Sequence, residues 1–174
     1  LPDKRSRIEE AAIDEFIAYP YDAAGINRIV EKAGIPKGSF YQYFEDKKDL
    51  YLHLLGRIVE RKLEYLAPVM ENPFQKEFFS LLREIYGAGL RFALSNPRLQ
   101  RIGTRILADR NNPVLLEFLA ASRGKSDVVF HRLLEAAIAR GEIRRDIDIP
   151  MSAHLISELS QSVADYYLER EGAR

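Results

Sequence analysis

The sequence contains no cysteine in 174 residues, and no apolar run in it approaches the roughly 20 residues that a membrane-spanning helix needs. The absence of cysteine excludes disulfides, a thiolate nucleophile and a zinc site built on cysteine. Together with the lack of a recognisable signal peptide, it predicts a cytoplasmic protein with no membrane partner. The first residue is leucine rather than methionine, so we expect the natural chain to begin earlier.

The sequence also has no net charge. The chain holds 26 basic and 26 acidic residues, and its hydrophobic fraction of 47% is that of an ordinary globular protein. Residues 1–48 carry eight bases and nine acids, a net charge of −1. A protein that binds nucleic acid usually presents a basic surface. Such binding by this chain must therefore depend on where single bases lie, and between Gly34 and Phe44 there is one base, Lys37, and no acid.

A two-helix pattern lies between Gly25 and Phe44. Four apolar residues within Ile26–Ala33 are spaced i, i+3, i+4, i+7, which predicts one buried helix face. Gly34 follows them, where a left-handed helix end is wanted. A second helix is predicted over Lys37–Phe44, and this arrangement is typical of a helix-turn-helix. Its outward side carries Lys37, Ser39, Tyr41, Gln42 and Tyr43.

The run AGIPKGSFYQYF at residues 33–44 resembles the DNA-binding domain of TetR-family transcriptional regulators, and Tyr21, Ile29, Lys47 and Leu50 extend the resemblance. It implies an all-α fold, with a three-helix helix-turn-helix domain at 1–48 and a helical-bundle domain at 49–174 for ligand binding and dimerisation. The fourth helix would link the two. The implied function is a DNA-binding regulator, most often a repressor released from its operator when a small molecule binds. Its partners would be a pseudo-palindromic double-stranded DNA operator, a small-molecule effector and a second copy of the chain.

The predicted reading helix would place its first residues at base edges in the major groove. Lys37 can donate to guanine, and Gly38 lets the backbone approach closely. The family usually has two threonines at the start of the second helix, for capping and phosphate contact, but this sequence has Ala24-Gly25 there. The predicted DNA contacts are Asn27, Arg28, Lys37, Gly38, Ser39, Tyr41, Gln42, Tyr43, Lys47 and Lys48.

Two alternatives stay open in this domain. Tyr41 and Tyr43 could instead be core aromatics, although Phe40 and Phe44 already supply a buried face. The bases Lys4, Arg5 and Arg7 fit either a solvated helix start or an arm that reaches phosphates.

The remaining sequence predicts only helices. Gly87 and Gly89 interrupt the fifth helix, where each costs about 1 kcal/mol relative to alanine, so they indicate either a tight helix crossing or room for a ligand. The fourth helix is predicted to start after Asp46, its N-cap, and to run to Leu66 or beyond. The other predicted helices span Asp3–Tyr19, Phe74–Ser95, Arg98–Ala108, Pro113–Arg140 (weakened at Arg123-Gly124) and Pro150–Arg170.

An apolar pocket between these helices is the predicted effector site. The aromatics could also be plain core, and the two arginines, spaced i, i+4, could be a solvated face rather than an anion site. The last predicted helix is apolar on more than one face, which favours a homodimer. The predicted ligand-binding residues are Tyr86, Gly89, Phe92, Arg101, Arg105, Phe118 and Phe130.

Catalysis and metal binding have little support in the sequence. The pairs His131–Glu135 and His154–Glu158 have a spacing that can hold a metal, but charged chains produce such pairs by chance. No nucleophile, base and oxyanion site assemble from any motif. We predict a protein that is not an enzyme and has no metal or cofactor. A helical ligand- or metal-binding bundle without DNA binding is the alternative.

Overall fold

The computed structural model describes residues 3–122 and 125–159, and the all-α prediction is confirmed over these residues. None of them lies in a strand, and no helix among them is long and apolar enough to cross a membrane. The helices are α1 Lys4–Ala18, α2 Ile26–Ala33, α3 Lys37–Phe40, α4 Lys47–Leu66, α5 Phe78–Ser95, α6 Pro97–Ala108, α7 Pro113–Ser122 and α8 Lys125–Ala139. A 3-10 turn spans Pro73–Gln75, and residues 149–159 are again helical.

The chain divides into two compact units. The first combines Leu1–Glu60 with Asn96–Ala121, and the second combines Arg61–Ser95 with Ser122–Arg174. Residues 1–48 thus fall entirely in the first unit, which also contains α6 and most of α7. The functional boundary predicted at residue 48 stays a prediction.

In the first unit, the helix ends follow the sequence signals. The Asp3 carboxylate caps α1 by accepting from the Ser6 amide at 2.7 Å. Gly34 ends α2 with a φ of 62°, a left-handed conformation that glycine adopts without a Cβ clash. Asp46 caps α4 through the Asp49 amide at 2.8 Å, and the Asp49 carboxylate accepts from the Glu45 amide at 3.0 Å. This reciprocal pair fixes the start of α4.

Helix α3 is shorter than predicted. It ends at Phe40, and Tyr41–Tyr43 form a turn, so the helix predicted over Lys37–Phe44 is wrong at its C-terminal end. The amides of Gln42 and Tyr43 donate to carbonyls three residues earlier, at 3.3 and 2.9 Å. Such bonds belong to a turn that is tighter than an α-helix. The core is unaffected, because Phe40 and Phe44 are both buried.

The second unit packs α5 against α8 and the helical residues 149–159. Its core includes Phe78, Leu81, Leu133, Ala137 and Ala153. The carboxylate of Glu142 caps α5 at the Phe78 amide, at 2.8 Å. Arg140 donates to the Phe74 carbonyl at 2.8 Å, and the 3-10 turn moves the start of α5 from the predicted Phe74 to Phe78.

Two helix predictions include residues that are not described. The range Pro113–Arg140 contains α7 and α8, and Arg123-Gly124 between them lie outside the described residues. The helix predicted over Pro150–Arg170 is present at residues 149–159, and the rest of it lies outside the described residues.

Candidate nucleic-acid interface

The segment Lys37–Tyr43, which we name the reader segment, combines exposed side chains with a buried phenylalanine ring, and a second buried ring follows it. Tyr41 is 51% exposed and Tyr43 39% exposed, whereas Phe40 and Phe44 are buried. The two tyrosines are therefore not core aromatics. Lys37, Gly38 and Gln42 are also exposed, but Ser39 is buried. The Ser39 side chain is therefore less accessible to a partner than those of Tyr41, Gln42 and Tyr43.

Gly38 is not needed as a glycine by the protein itself. A Cβ built at this position would meet no atom within 4 Å, and its φ lies outside the left-handed range. Neither packing nor backbone conformation explains the missing side chain. The close approach of another molecule would explain it.

Lys37 differs from most bases of the first unit. Within the described part of the chain, its exposed side chain makes no hydrogen bond or ion pair. By contrast, Arg5 pairs with Glu9 at 3.3 Å and Lys32 pairs with Asp14 at 2.8 Å. Arg7 donates to the Gly34 carbonyl at 2.8 Å, so Arg5 and Arg7 are not a free arm in this structure.

The Lys47 side chain makes its hydrogen bonds within the first unit. Its ammonium group donates to the carbonyls of Tyr21 at 2.7 Å and Ala24 at 3.0 Å, and more weakly to Asp22 at 3.4 Å. It also lies 4.4 Å from the centre of the Tyr21 ring. The three N–H donors of a lysine are thereby occupied in closing the loop between α1 and α2.

Lys48 is paired within the first unit. Its ammonium group donates to the Glu117 carboxylate on α7 at 2.7 Å, and this hydrogen bond raises the pKa of Lys48. Both side chains are exposed, so the pair is weak in water and open to exchange with another anion.

The start of α2 is closed by α1. The Glu15 carboxylate, a buried group, accepts from the Gly25 amide at 2.9 Å and from Arg28 Nε at 2.8 Å. The Arg28 guanidinium also lies over the Tyr19 ring, 4.4 Å from its centre. Asn27, the neighbouring candidate, is exposed. Our sequence reasoning missed Glu15, because its partners Gly25 and Arg28 lie ten or more residues away.

Glu9 is a second buried carboxylate on α1 that sequence reasoning missed. It contacts His53 Nε2 at 2.8 Å and Arg5 at 3.3 Å, and it accepts a hydrogen bond from Arg57. The His53 ring packs on Phe44, with 5.3 Å between ring centres. This cluster joins α1 and α4 to Phe44, the residue that follows the reader segment.

A buried polar contact joins α4 to the turn before α7. Asn112 donates to the Tyr51 hydroxyl at 2.9 Å and caps α7 by accepting from the amides of Val114 and Leu115 at 3.0 and 3.3 Å. Burial raises the pKa of Tyr51 well above its usual range. The Tyr51 ring also packs on Tyr21, with 4.8 Å between ring centres. These contacts connect the loop between α1 and α2, helix α4 and the turn before α7.

The predicted effector residues fall in both units. Tyr86 and Gly89 are half-buried in the second unit, where Phe92 and Phe130 are buried. Arg101 and Arg105 are exposed in the first unit, and Phe118 there is half-buried. A Cβ at Gly89 would meet nothing within 4 Å, which argues against a tight helix crossing at this position.

Of the two predicted histidine pairs, the structure has a close contact for the first, whereas the histidine of the second contacts a different acid. His131 lies 3.5 Å from Glu135, but His154 lies 3.4 Å from Asp127 rather than beside Glu158. Over residues 3–122 and 125–159, no three such groups come together in a way that could hold a metal ion.

Helix α2, the left-handed turn at Gly34 and the exposed α3 have the arrangement of a helix-turn-helix, which defines a class of DNA-binding proteins. Comparison with known proteins identifies the family. The model for "Bacterial regulatory proteins, tetR family" matches residues 8–54. The solved structure of a TetR family transcriptional regulator from Chloroflexus aurantiacus J-10-FL has 37% identity and a TM-score of 0.79, over 98% of this chain and 78% of that one. The chain belongs to the TetR family of transcriptional regulators.

Two further relatives are regulators with opposite effects. The activator FasR of Mycolicibacterium smegmatis is 38% identical over 58 residues, which are 33% of this chain and only 26% of FasR. The probable acrEF/envCD operon repressor of Escherichia coli K12 is 25% identical over 172 residues, 94% of this chain and 76% of that protein. Family membership therefore supports DNA-binding regulation, by repression or activation.

Proposed function

We propose that the protein represses transcription in the bacterial cytoplasm by binding a pseudo-palindromic DNA operator as a homodimer, and that a small molecule releases it. The observation that carries the proposal is the reader segment, where the unpaired Lys37 adjoins a glycine with open space at its Cβ position. An exposed lysine at the start of a reading helix is suited to guanine O6 or N7. Repression is the mode we propose, and activation is the alternative.

The other reader side chains would hold the DNA backbone. The hydroxyls of Tyr41 and Tyr43 and the amide of Gln42 are exposed and can donate to phosphate oxygens, which fixes register without reading sequence. Lys48 would contribute by exchanging Glu117 for a phosphate. Lys47 would act chiefly by holding the loop before α2, since its donors already serve three carbonyls.

The homodimer is supported by an apolar stripe in the second unit. Met151, Leu155 and Leu159 are all exposed and lie four residues apart on the helical residues 149–159. An exposed stripe of this kind favours burial against a second copy. Leu155→Glu should give a monomer in analytical ultracentrifugation and should abolish preference for paired half-sites. A dimer that persists in this variant would contradict the assignment of this face.

The effector site is supported by the open space at Gly89 beside half-buried Tyr86 and buried Phe92. We propose that an apolar molecule binds there and that α4, which contributes residues to both units, transmits the change. The effector must bind the DNA-free state more tightly, because equal affinity for both states shifts nothing.

A thermal-shift screen of apolar acids, amphipathic cations and aromatic compounds tests this site. Gly89→Leu should abolish the shift caused by a hit, and Gly89→Ala, the matched control, should keep most of it. If a hit still raises the melting temperature of Gly89→Leu, the effector binds at another place.

Selection of bound sequences from random duplexes tests the proposal as a whole. At low salt we expect enrichment of two inverted half-sites whose centres lie about one or two helical turns apart. If no pseudo-palindrome is enriched, DNA regulation by this chain fails and a helical ligand-binding bundle becomes the better reading.

A further inference from the structure

We propose that Arg28 binds a phosphate of the DNA backbone and that the buried carboxylate of Glu15 is the positioning residue that holds it in place. The inference rests on the proposed function, because it concerns how the first unit grips DNA. It also supplies a phosphate contact at the start of α2, where this chain has Ala24-Gly25 in place of the two threonines that are usual in the family.

Glu15 forms a fixed anchor. It is 8% exposed, and its Oε1 accepts hydrogen bonds from the Gly25 amide at 2.9 Å and from Arg28 Nε at 2.8 Å. Arg28 Nη2 lies 2.5 Å from the same oxygen and completes the ion pair. Gly25 has no side chain with which to cap α2, so α1 supplies the acceptor at this position. One carboxylate therefore sets both the path of the backbone into α2 and the direction of the Arg28 side chain.

Two further contacts hold the guanidinium plane. Nη2 donates to the Ala23 carbonyl at 2.5 Å, and the plane lies over the Tyr19 ring. A Cβ at Gly25 would lie 3.6 Å from the guanidinium carbon, so the group rests directly against the start of α2. An arginine usually loses much side-chain entropy when it binds, and here that loss has already occurred on folding.

Part of the guanidinium remains available. Arginine has five N–H donors in a planar fork, and Glu15 occupies the edge formed by Nε and Nη2. Among the described residues Nη1 has no hydrogen-bond acceptor, and the Arg28 side chain is 48% exposed. Two N–H donors are thus left for an outside acceptor.

The position of Arg28 selects phosphate as that acceptor. In a helix-turn-helix, the helix before the reader crosses the DNA backbone, and arginine is well matched to phosphate oxygens. The neighbouring base on α2, Lys32, is instead committed to Asp14 at 2.8 Å and lies near the other end of the helix. Lys32 therefore serves as the matched control.

Charge and positioning make opposite predictions for Glu15. If only charge mattered, Glu15→Ala would strengthen DNA binding, because it removes a negative group near the phosphates. If Glu15 positions Arg28, the same change weakens binding severalfold. The sign of the effect separates the two accounts.

The first experiment measures binding of a duplex selected by the wild-type protein to Glu15→Ala, Arg28→Ala, the double variant and Lys32→Ala. We expect Arg28→Ala to weaken binding about tenfold and to lower the salt slope by about one per protomer, as one lost phosphate contact does. Glu15→Ala should weaken wild-type binding but not binding of the Arg28→Ala background. Lys32→Ala should change affinity less than about threefold. Stronger binding by Glu15→Ala, or equal weakening in both backgrounds, overturns the positioning role.

Glu15→Gln guards against a variant that does not fold. It keeps an oxygen acceptor for Gly25 and Arg28 and should restore most of the binding lost in Glu15→Ala. If Glu15→Gln binds as weakly as a folded Glu15→Ala, the hydrogen bonds do not position Arg28.

The second experiment replaces single phosphates of the duplex with neutral methylphosphonates. Wild-type protein should lose affinity at one phosphate per half-site to which Arg28→Ala is insensitive. If Arg28→Ala keeps the full set of sensitive phosphates, the inference is wrong while the proposed function stands. If wild-type protein binds no duplex, the proposed function fails and takes this inference with it.

Discussion

Helix α1 and the reader segment belong to the same unit but carry charge in opposite ways. Each of the acids Glu9, Glu10, Asp14 and Glu15 on α1 is paired with at least one base. In the reader segment, Lys37 is exposed and has no acid beside it. The net charge of −1 over residues 1–48 therefore does not describe the surface around Lys37. The position of an exposed N–H donor matters more for DNA binding than the number of bases.

Glu9 on α1 is predicted to serve the stability of the fold. Glu9→Ala should destabilise the protein by about 1–3 kcal/mol, because it removes a buried carboxylate from His53, Arg5 and Arg57. Urea unfolding measures the loss. The matched control is Glu10→Ala, since the exposed Glu10 pairs with Arg98 and should cost less than about 1 kcal/mol. Equal costs would remove the distinction between buried and exposed acids on α1.

The exposed aromatics of the reader segment should matter for DNA binding and not for the stability of the fold. Tyr41→Ala should weaken binding to every duplex about tenfold, as loss of a hydrogen bond to a charged phosphate does, with little change in stability. Tyr41→Phe is the control for the hydroxyl and should show a similar loss in a binding titration. If Tyr41→Phe binds like wild type, the ring rather than the hydroxyl makes the contact.

Gly38 provides a test in which stability and binding move in opposite directions. Gly38→Ala should leave stability unchanged or raise it by up to about 1 kcal/mol, yet weaken DNA binding by crowding the backbone approach. Gly56→Ala on α4 is the matched control, because a Cβ there also meets nothing within 4 Å. It should match the stability change and leave binding intact. A binding loss shared by both variants would point to a general effect on the first unit.

The smallest predicted effect is the acid sensitivity of Asp14. Burial acts against it, but hydrogen bonds from Lys32 and Arg98 lower the pKa of Asp14 below 3.8. A carboxyl whose pKa is lower in the folded state stabilises the fold above pH 3.8, and that contribution disappears as pH falls through the folded-state pKa. Asp14 is partly exposed, so we expect a loss below about 1 kcal/mol. Asp14→Asn should show a shallower fall in stability below pH 4 by urea unfolding, and an unchanged fall would assign the acid sensitivity to other carboxyls.

Sequence pattern predicted most of the fold, because helix ends and buried stripes are local signals. Gly34 and the Asp46 cap are where the pattern indicates. The end of α3 was missed, since turn bonds after Phe40 compete with helix bonds and propensity does not decide between them. The roles of Glu15 and Lys47 were beyond local pattern, because their partners lie ten or more residues away and depend on how α1, α2 and α4 pack.

The sequences selected from random duplexes by Lys37→Ala and by Lys32→Ala test most directly whether the unpaired Lys37 reads a base. We predict that Lys37→Ala loses preference at one base pair in each half-site, at a cost of about 1–3 kcal/mol on the wild-type operator, and that Lys32→Ala selects the wild-type sequence. If both variants select the wild-type sequence, or both weaken binding equally on all sequences, then Lys37 does not read a base and the distinction drawn between α1 and the reader segment is wrong.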